Sequence, residues 1–156
     1  MVPKRYNQWI LHHYRPITNS VGASFRSWCY FHNETINIYS HLVPAIVFLF
    51  AEWYVLQHLT TSHPEATNAD LVALSMFMLP ATICWASSAV YHTLMNHSCA
   101  MNQFCHRLDM LGIGIFIVGD IVLGVYLIFR CETTPRNLYW FMVSQSPLLG
   151  LFSLQD

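Results

Sequence analysis

The length of the apolar runs constrains this chain more than any other feature. Tyr39 to Leu59, Leu71 to Tyr91 and Leu108 to Phe129 each come close to the ~20 residues that a helix needs to cross the hydrocarbon of a bilayer. The first run is interrupted only by Ser40, His41, Glu52, Gln57 and His58. Pro80, near the middle of the second, predicts a kink, because proline lacks an N–H and its ring clashes with the preceding turn. Asn137 to Leu154 reads as a fourth span diluted by Ser144, Gln145, Ser146, Pro147 and Gly150. Composition agrees: 54% of residues are hydrophobic, 10% are charged and the mean hydropathy is +0.37, well beyond a soluble domain of this size. The expectation is an all-α, multi-pass transmembrane helix bundle. Residues 1–38 form an N-terminal segment and 39–156 the membrane domain, with connections at Thr60–Asp70, Thr93–Arg107 and Arg130–Arg136.

Seven basic and eight acidic residues leave no excess charge to neutralise phosphates, which argues against nucleic acid as a partner. Five cysteines without a C-x-x-C pair signal neither a disulfide framework nor a zinc ribbon. His97, Cys99, Cys105 and His106 are near one another in sequence, but their spacing fits no finger pattern. The first apolar run starts too late, and lacks the small-residue cleavage site, for a removed leader, so it reads as a retained anchor. Lys4, Arg5, Arg15 and Arg26 precede it, while Thr60 to Asp70 holds no basic residue; the N-terminus is therefore expected in the cytoplasm. Arg130 and Arg136 then fall outside, against the rule. Val21, Phe25, Trp28 and Cys29 recur at near-helical spacing, as in a short helix lying in the membrane interface; a disordered tail is the alternative.

Polar residues enter this apolar frame in a pattern. Glu34, Asn37 and His41 stand at i, i+3 and i+7 and share one helix face. Ser88 and His92 are four residues apart at the end of the second run, and Asp109 opens the third from the same side. His41, His92 and Asp109 thus lie at similar depth. They either converge on one site or snorkel separately to water. Deeper in the membrane, Glu52 and Asp120 are costly unless they face a bundle interior. Asp120 follows Asp109 by eleven residues, close to the same face, with Gly112 and Gly119 on a neighbouring stripe suited to close helix packing. This polar track is either a proton or ion route or a structural interhelical hydrogen bond.

Three segments together, Glu34-Thr-Ile-Asn37-Ile-Tyr-Ser-His41, Ser88-Ala-Val-Tyr-His92 and Leu108-Asp109 with Gly112-Ile, resemble the progestin and adipoQ receptor family, which includes the adiponectin receptors and the haemolysin-III-like proteins. The stretch FRSWCYFHNETINIYSHL looks like the adiponectin-receptor branch, and the likeness runs from Ser24 to Val143. It implies seven helices and a zinc ion near the inner leaflet. His92 would be one ligand, Asp109 would hold a water on the metal, and Ser88 would sit beside the site. The other two ligands would come from an H-x-x-x-H segment in helix seven, which this sequence lacks, so the resemblance implies a shortened form. Glu34, Asn37 and His41 would then support the site, with Glu34 and Asn37 capping the first helix. The implied functions are ceramide (lipid amide) hydrolysis, a signalling receptor or scaffold with structural zinc, or an inactive fragment. The implied partners are membrane lipids, a ceramide-type substrate, an extracellular ligand and further copies of the chain.

Overall fold

The computed structural model describes residues 9 and 12–145. After an extended entry segment comes a short helix, α1 (Val21–Arg26), running into a single tight turn at Ser27–Cys29. Three long helices follow, α2 (Thr35–Ser62), α3 (Asn68–Leu94) and α4 (Cys99–Ile128), and then α5 (Thr133–Ser144). At 1.5 Å per residue the long helices measure roughly 40–45 Å, so each overshoots a hydrocarbon core of about 30 Å. All three are long and apolar enough to cross a membrane.

Local chemistry sets the boundaries. Thr67 and Asp70 form a reciprocal capping box at the start of α3, satisfying two of the first turn's orphan N–H groups. Ser98 caps α4 through a bond from the Met101 N–H. Helix therefore begins at Cys99, and most of the expected Thr93–Arg107 connection is helical. Hydropathy marks where lipid begins, and the first turns of α4 precede it. The first part of the expected fourth span lies in α5; residues 146–154 fall outside the described residues.

α3 lies between α2 and α4, packed on both. Against α4 the approach is close. A Cβ built on Gly119 would be 2.0 Å from the Met76 carbonyl oxygen and 3.2 Å from Pro80 Cγ. Met76 is four residues before Pro80, so its carbonyl is the one that proline leaves without a backbone donor. About two turns away, Gly112 backs onto Cys84 and Ser87. On α2, Val43, Val47, Phe50 and Trp53 point outward, and outward apolar faces of this extent suit a lipid surround.

The two ends of the row are tied by polar contacts. At one end, Tyr126 donates to Asp70 Oδ1 at 2.8 Å and Arg130 pairs with Asp70 at 3.1 Å, joining the start of α3 to the end of α4. Arg136 of α5 lies over the Tyr126 and Trp140 rings. At the other end, α1 is docked through Ser24 Oγ donating to Asn96 Oδ1 at 2.9 Å and Trp28 Nε1 donating to Thr93 Oγ1 at 3.0 Å. Phe25 and Trp28 pack with ring centroids 5.3 Å apart and 53° between planes, so Val21 and Phe25 do lie in a short helix, with Trp28 and Cys29 in the turn after it.

Candidate functional site

The polar residues of α2 and α3 meet at the end where α1 docks. His92, in the last turn of α3, has its Nδ1 2.9 Å from Glu34 Oε2. Glu34 occupies the position ahead of α2 yet makes no capping bond to that helix. The expected capping by Glu34 and Asn37 is replaced by another arrangement. Thr35 Oγ1 accepts from the His32 N–H, and His32 Nδ1 accepts from the Glu34 N–H. The Glu34 carboxylate is freed to collect Asn33 Nδ2 at 2.7 Å on one oxygen, and Asn37 Nδ2 at 2.8 Å with His92 on the other.

Burial alone would raise the Glu34 pKa, but the hydrogen bonds from His92 and Asn37 and the charges of His92 and Arg15 outweigh it and hold the carboxyl below its ordinary range. An ionised carboxylate only accepts, so neutral His92 carries its proton on Nδ1 and keeps the lone pair on Nε2. His41 is set the same way: its Nδ1 donates to the Asn37 carbonyl at 2.5 Å. The two imidazoles stack at 5.3 Å with 30° between planes, and His41 also packs on Trp85. Two like-oriented imidazoles, one held by a carboxylate, therefore share this corner.

Ser88 is buried one turn before His92. The antiparallel register fixed by Gly119 against Met76 and Pro80, Gly112 against Cys84 and Ser87, and Tyr91 against His106 brings Asp109 level with Ser88. Asp109 is half-buried and has no hydrogen-bond partner among the described residues. Glu52 is half-buried on α2, and Asp120 is exposed. Asp120 directly follows the glycine that faces α3, which turns it about 100° away from that helix. Among the described residues no group of three or more His, Cys, Asp or Glu side chains is gathered to hold a metal ion, so they do not make a zinc site by themselves. The five cysteines are unpaired.

The sequence reading missed Arg15 and Asn33. It took Arg15 only as a topology charge, whereas the guanidinium reaches the end of α3. It donates to the carbonyls of His92 at 2.5 Å and Thr93 at 3.0 Å and to Ser27 Oγ at 2.8 Å. No spacing rule links a residue in an extended segment to a helix 77 positions on.

Apolar spanning helices with a polar corner at one end define a multi-pass integral membrane protein. The chain belongs to the haemolysin-III-related family, whose pattern it matches over residues 29–155. It is 32% identical over 139 residues to progestin and adipoQ receptor-like protein 1 of Caenorhabditis elegans, a match covering 88% of this chain and 31% of that protein. It is 30% identical over 148 residues to the adiponectin receptor protein of Drosophila melanogaster, covering 95% and 32%. Heptahelical transmembrane protein 1 of Arabidopsis thaliana is 28% identical over 152 residues, covering 95% and 45%. The chain thus spans less than half the length of these relatives.

Proposed function

We propose that this chain supplies the His92 side of a zinc-dependent site for hydrolysing a lipid amide of the ceramide type, completed by donors beyond the described residues. The observation that carries the reading is the Glu34–His92 contact of 2.9 Å. A carboxylate on Nδ1 fixes the ring and leaves Nε2 ready as a ligand, the arrangement that metal-binding histidines commonly have. Zinc, when bound, supplies Lewis acidity and makes water a usable nucleophile near neutral pH. Of this chain's own residues, Glu34 orients His92, His41, itself backed by Trp85, covers the imidazole on one side, and Asp109 and buried Ser88 offer polar groups one turn deeper. Partners in this reading are membrane lipids and the lipid amide, and the N-terminus faces the cytoplasm.

The test is ceramide hydrolysis in membranes carrying the chain. Hydrolysis is expected to be lost on chelation and in His92→Ala, and to fall by about 100-fold or more in Asp109→Asn. Chelator-sensitive hydrolysis that is unchanged in both variants would sink the reading. The purified chain alone is expected to hold less than stoichiometric zinc. A second reading, a signalling receptor or scaffold in which any zinc is structural, is favoured by the lack of a three-donor set among the described residues and by the receptor names of two relatives. Signalling that persists in Asp109→Asn without hydrolysis would support it.

A further inference from the structure

We propose that Arg15 is a positioning residue for His92, acting through a closed ring of hydrogen bonds that ties the entry segment, the start of α2 and the end of α3 together. The Arg15 backbone N–H donates to Asn33 Oδ1 at 3.4 Å, and Asn33 Nδ2 donates to Glu34 Oε1 at 2.7 Å. Glu34 Oε2 accepts from His92 Nδ1 at 2.9 Å, and the His92 carbonyl accepts from the Arg15 guanidinium at 2.5 Å. Four residues from three segments thus close on themselves, and His92 is held at both its ring and its backbone.

Each member is braced from outside the ring. The Asn33 N–H donates to the His13 carbonyl at 3.1 Å, so the asparagine is held from two sides. The guanidinium has two further arms, to the Thr93 carbonyl and to Ser27 Oγ. Ser27 in turn donates to the Ser24 carbonyl at 2.7 Å, and both serines are fully buried. The last carbonyls of a helix have no intrahelical donor, and a cation there also meets the negative end of the helix dipole. Arginine suits the position because one planar fork serves three acceptors at fixed angles; a lysine ammonium is a point donor on a flexible stem.

Remove the fork and the ring opens at α3: the last turn loses the donor to its carbonyls, the segment whose Arg15 N–H holds Asn33 is no longer pinned to that helix, and the Nδ1–H state of His92 loses its preference. The importance of this device for hydrolysis rests on the proposed function, but the ring needs neither metal nor substrate. Its test therefore stands apart from that reading.

The measurement is the tautomer of His92, read by nitrogen NMR of the chain with ring-labelled histidine in lipid nanodiscs at about pH 8, where imidazole is neutral. A hydrogen bond to a charged acceptor gives roughly a tenfold or greater preference for Nδ1–H. That preference is expected in the unmodified chain and is expected to fall toward parity in Arg15→Met. Arg15→Lys should not restore it. Asn33→Ala breaks the far side of the ring while leaving the guanidinium on α3, and should cause the same loss with helix content unchanged, which separates positioning from general unfolding. An unchanged tautomer in both Arg15→Met and Asn33→Ala would overturn the proposal. Ring-dependent tautomers without chelator-sensitive hydrolysis would remove the hydrolase reading and leave this one standing.

Discussion

His32 is buried and serves as an acceptor, its Nδ1 taking the Glu34 N–H at 3.0 Å. Burial and then the nearby Arg15 charge lower its pKa below the ordinary 6.5, with Glu34 opposing in part. The folded state therefore binds this proton less readily than the unfolded chain. The contribution is full above about pH 6.5 and is lost as pH falls from there toward the lower folded value. The thermal midpoint in nanodiscs should drop across that window. The slope should flatten in His32→Asn, whose amide oxygen can still accept; a slope that persists in this variant would contradict the assignment. At this scale the sequence was partly readable. Glu34, Asn37 and His41 announce a shared face because helical offsets are regular, and Glu34, Asn37 and His92 do come together. Arg15 and Asn33 could not be foreseen, because their links run between loops and have no period.

Among the elements, the α3–α4 seam is the most constrained. Proline in α3 was expected to disturb the helix, and Gly112 and Gly119 were expected to permit close packing; the structure joins the two, since Gly119 sits against the carbonyl that Pro80 leaves bare. Gly119→Ala would put a methyl 2.0 Å from that oxygen and should destabilise the helix pair by about 1–3 kcal/mol, the usual cost of overpacking. Gly124, with nothing within 4 Å of a built Cβ, is the control: alanine there should be neutral or stabilise by about 0.5–1 kcal/mol through helix propensity. Unfolding in mixed micelles measures both, and equal effects would mean that the seam is not tight. The helix ends were less legible. Hydropathy reports lipid thickness, so it missed the turns of α4 from Cys99 onward that Ser98 caps.

For the whole molecule, three spans put the α1 end and the α5 end on opposite sides of a bilayer. Cys29 and Cys99 are exposed at the end where α1 is bound to α3, and Cys131 is exposed at the other. With a cytoplasmic N-terminus, an impermeant maleimide added to intact cells should label Cys131 alone, and permeabilisation should add Cys29 and Cys99. The inverse pattern would reverse the orientation. The charge signal behind this expectation looks different once partners are known. Arg15 is spent on the end of α3 and Arg130 on Asp70, so each side has one basic residue engaged by the fold. That removes one of the two residues that argued against the orientation as well as one that argued for it.

The proline-bared carbonyl of Met76 and the glycine facing it also limit how the assembly can move. Screwing α4 by a single position would drive Val118 or Asp120 into that oxygen, so rotation between these two rods is blocked. α2 contains no glycine and meets α3 through side chains such as Phe48 on Phe77. Any sliding or tilting within the bundle should therefore be sought between α2 and α3.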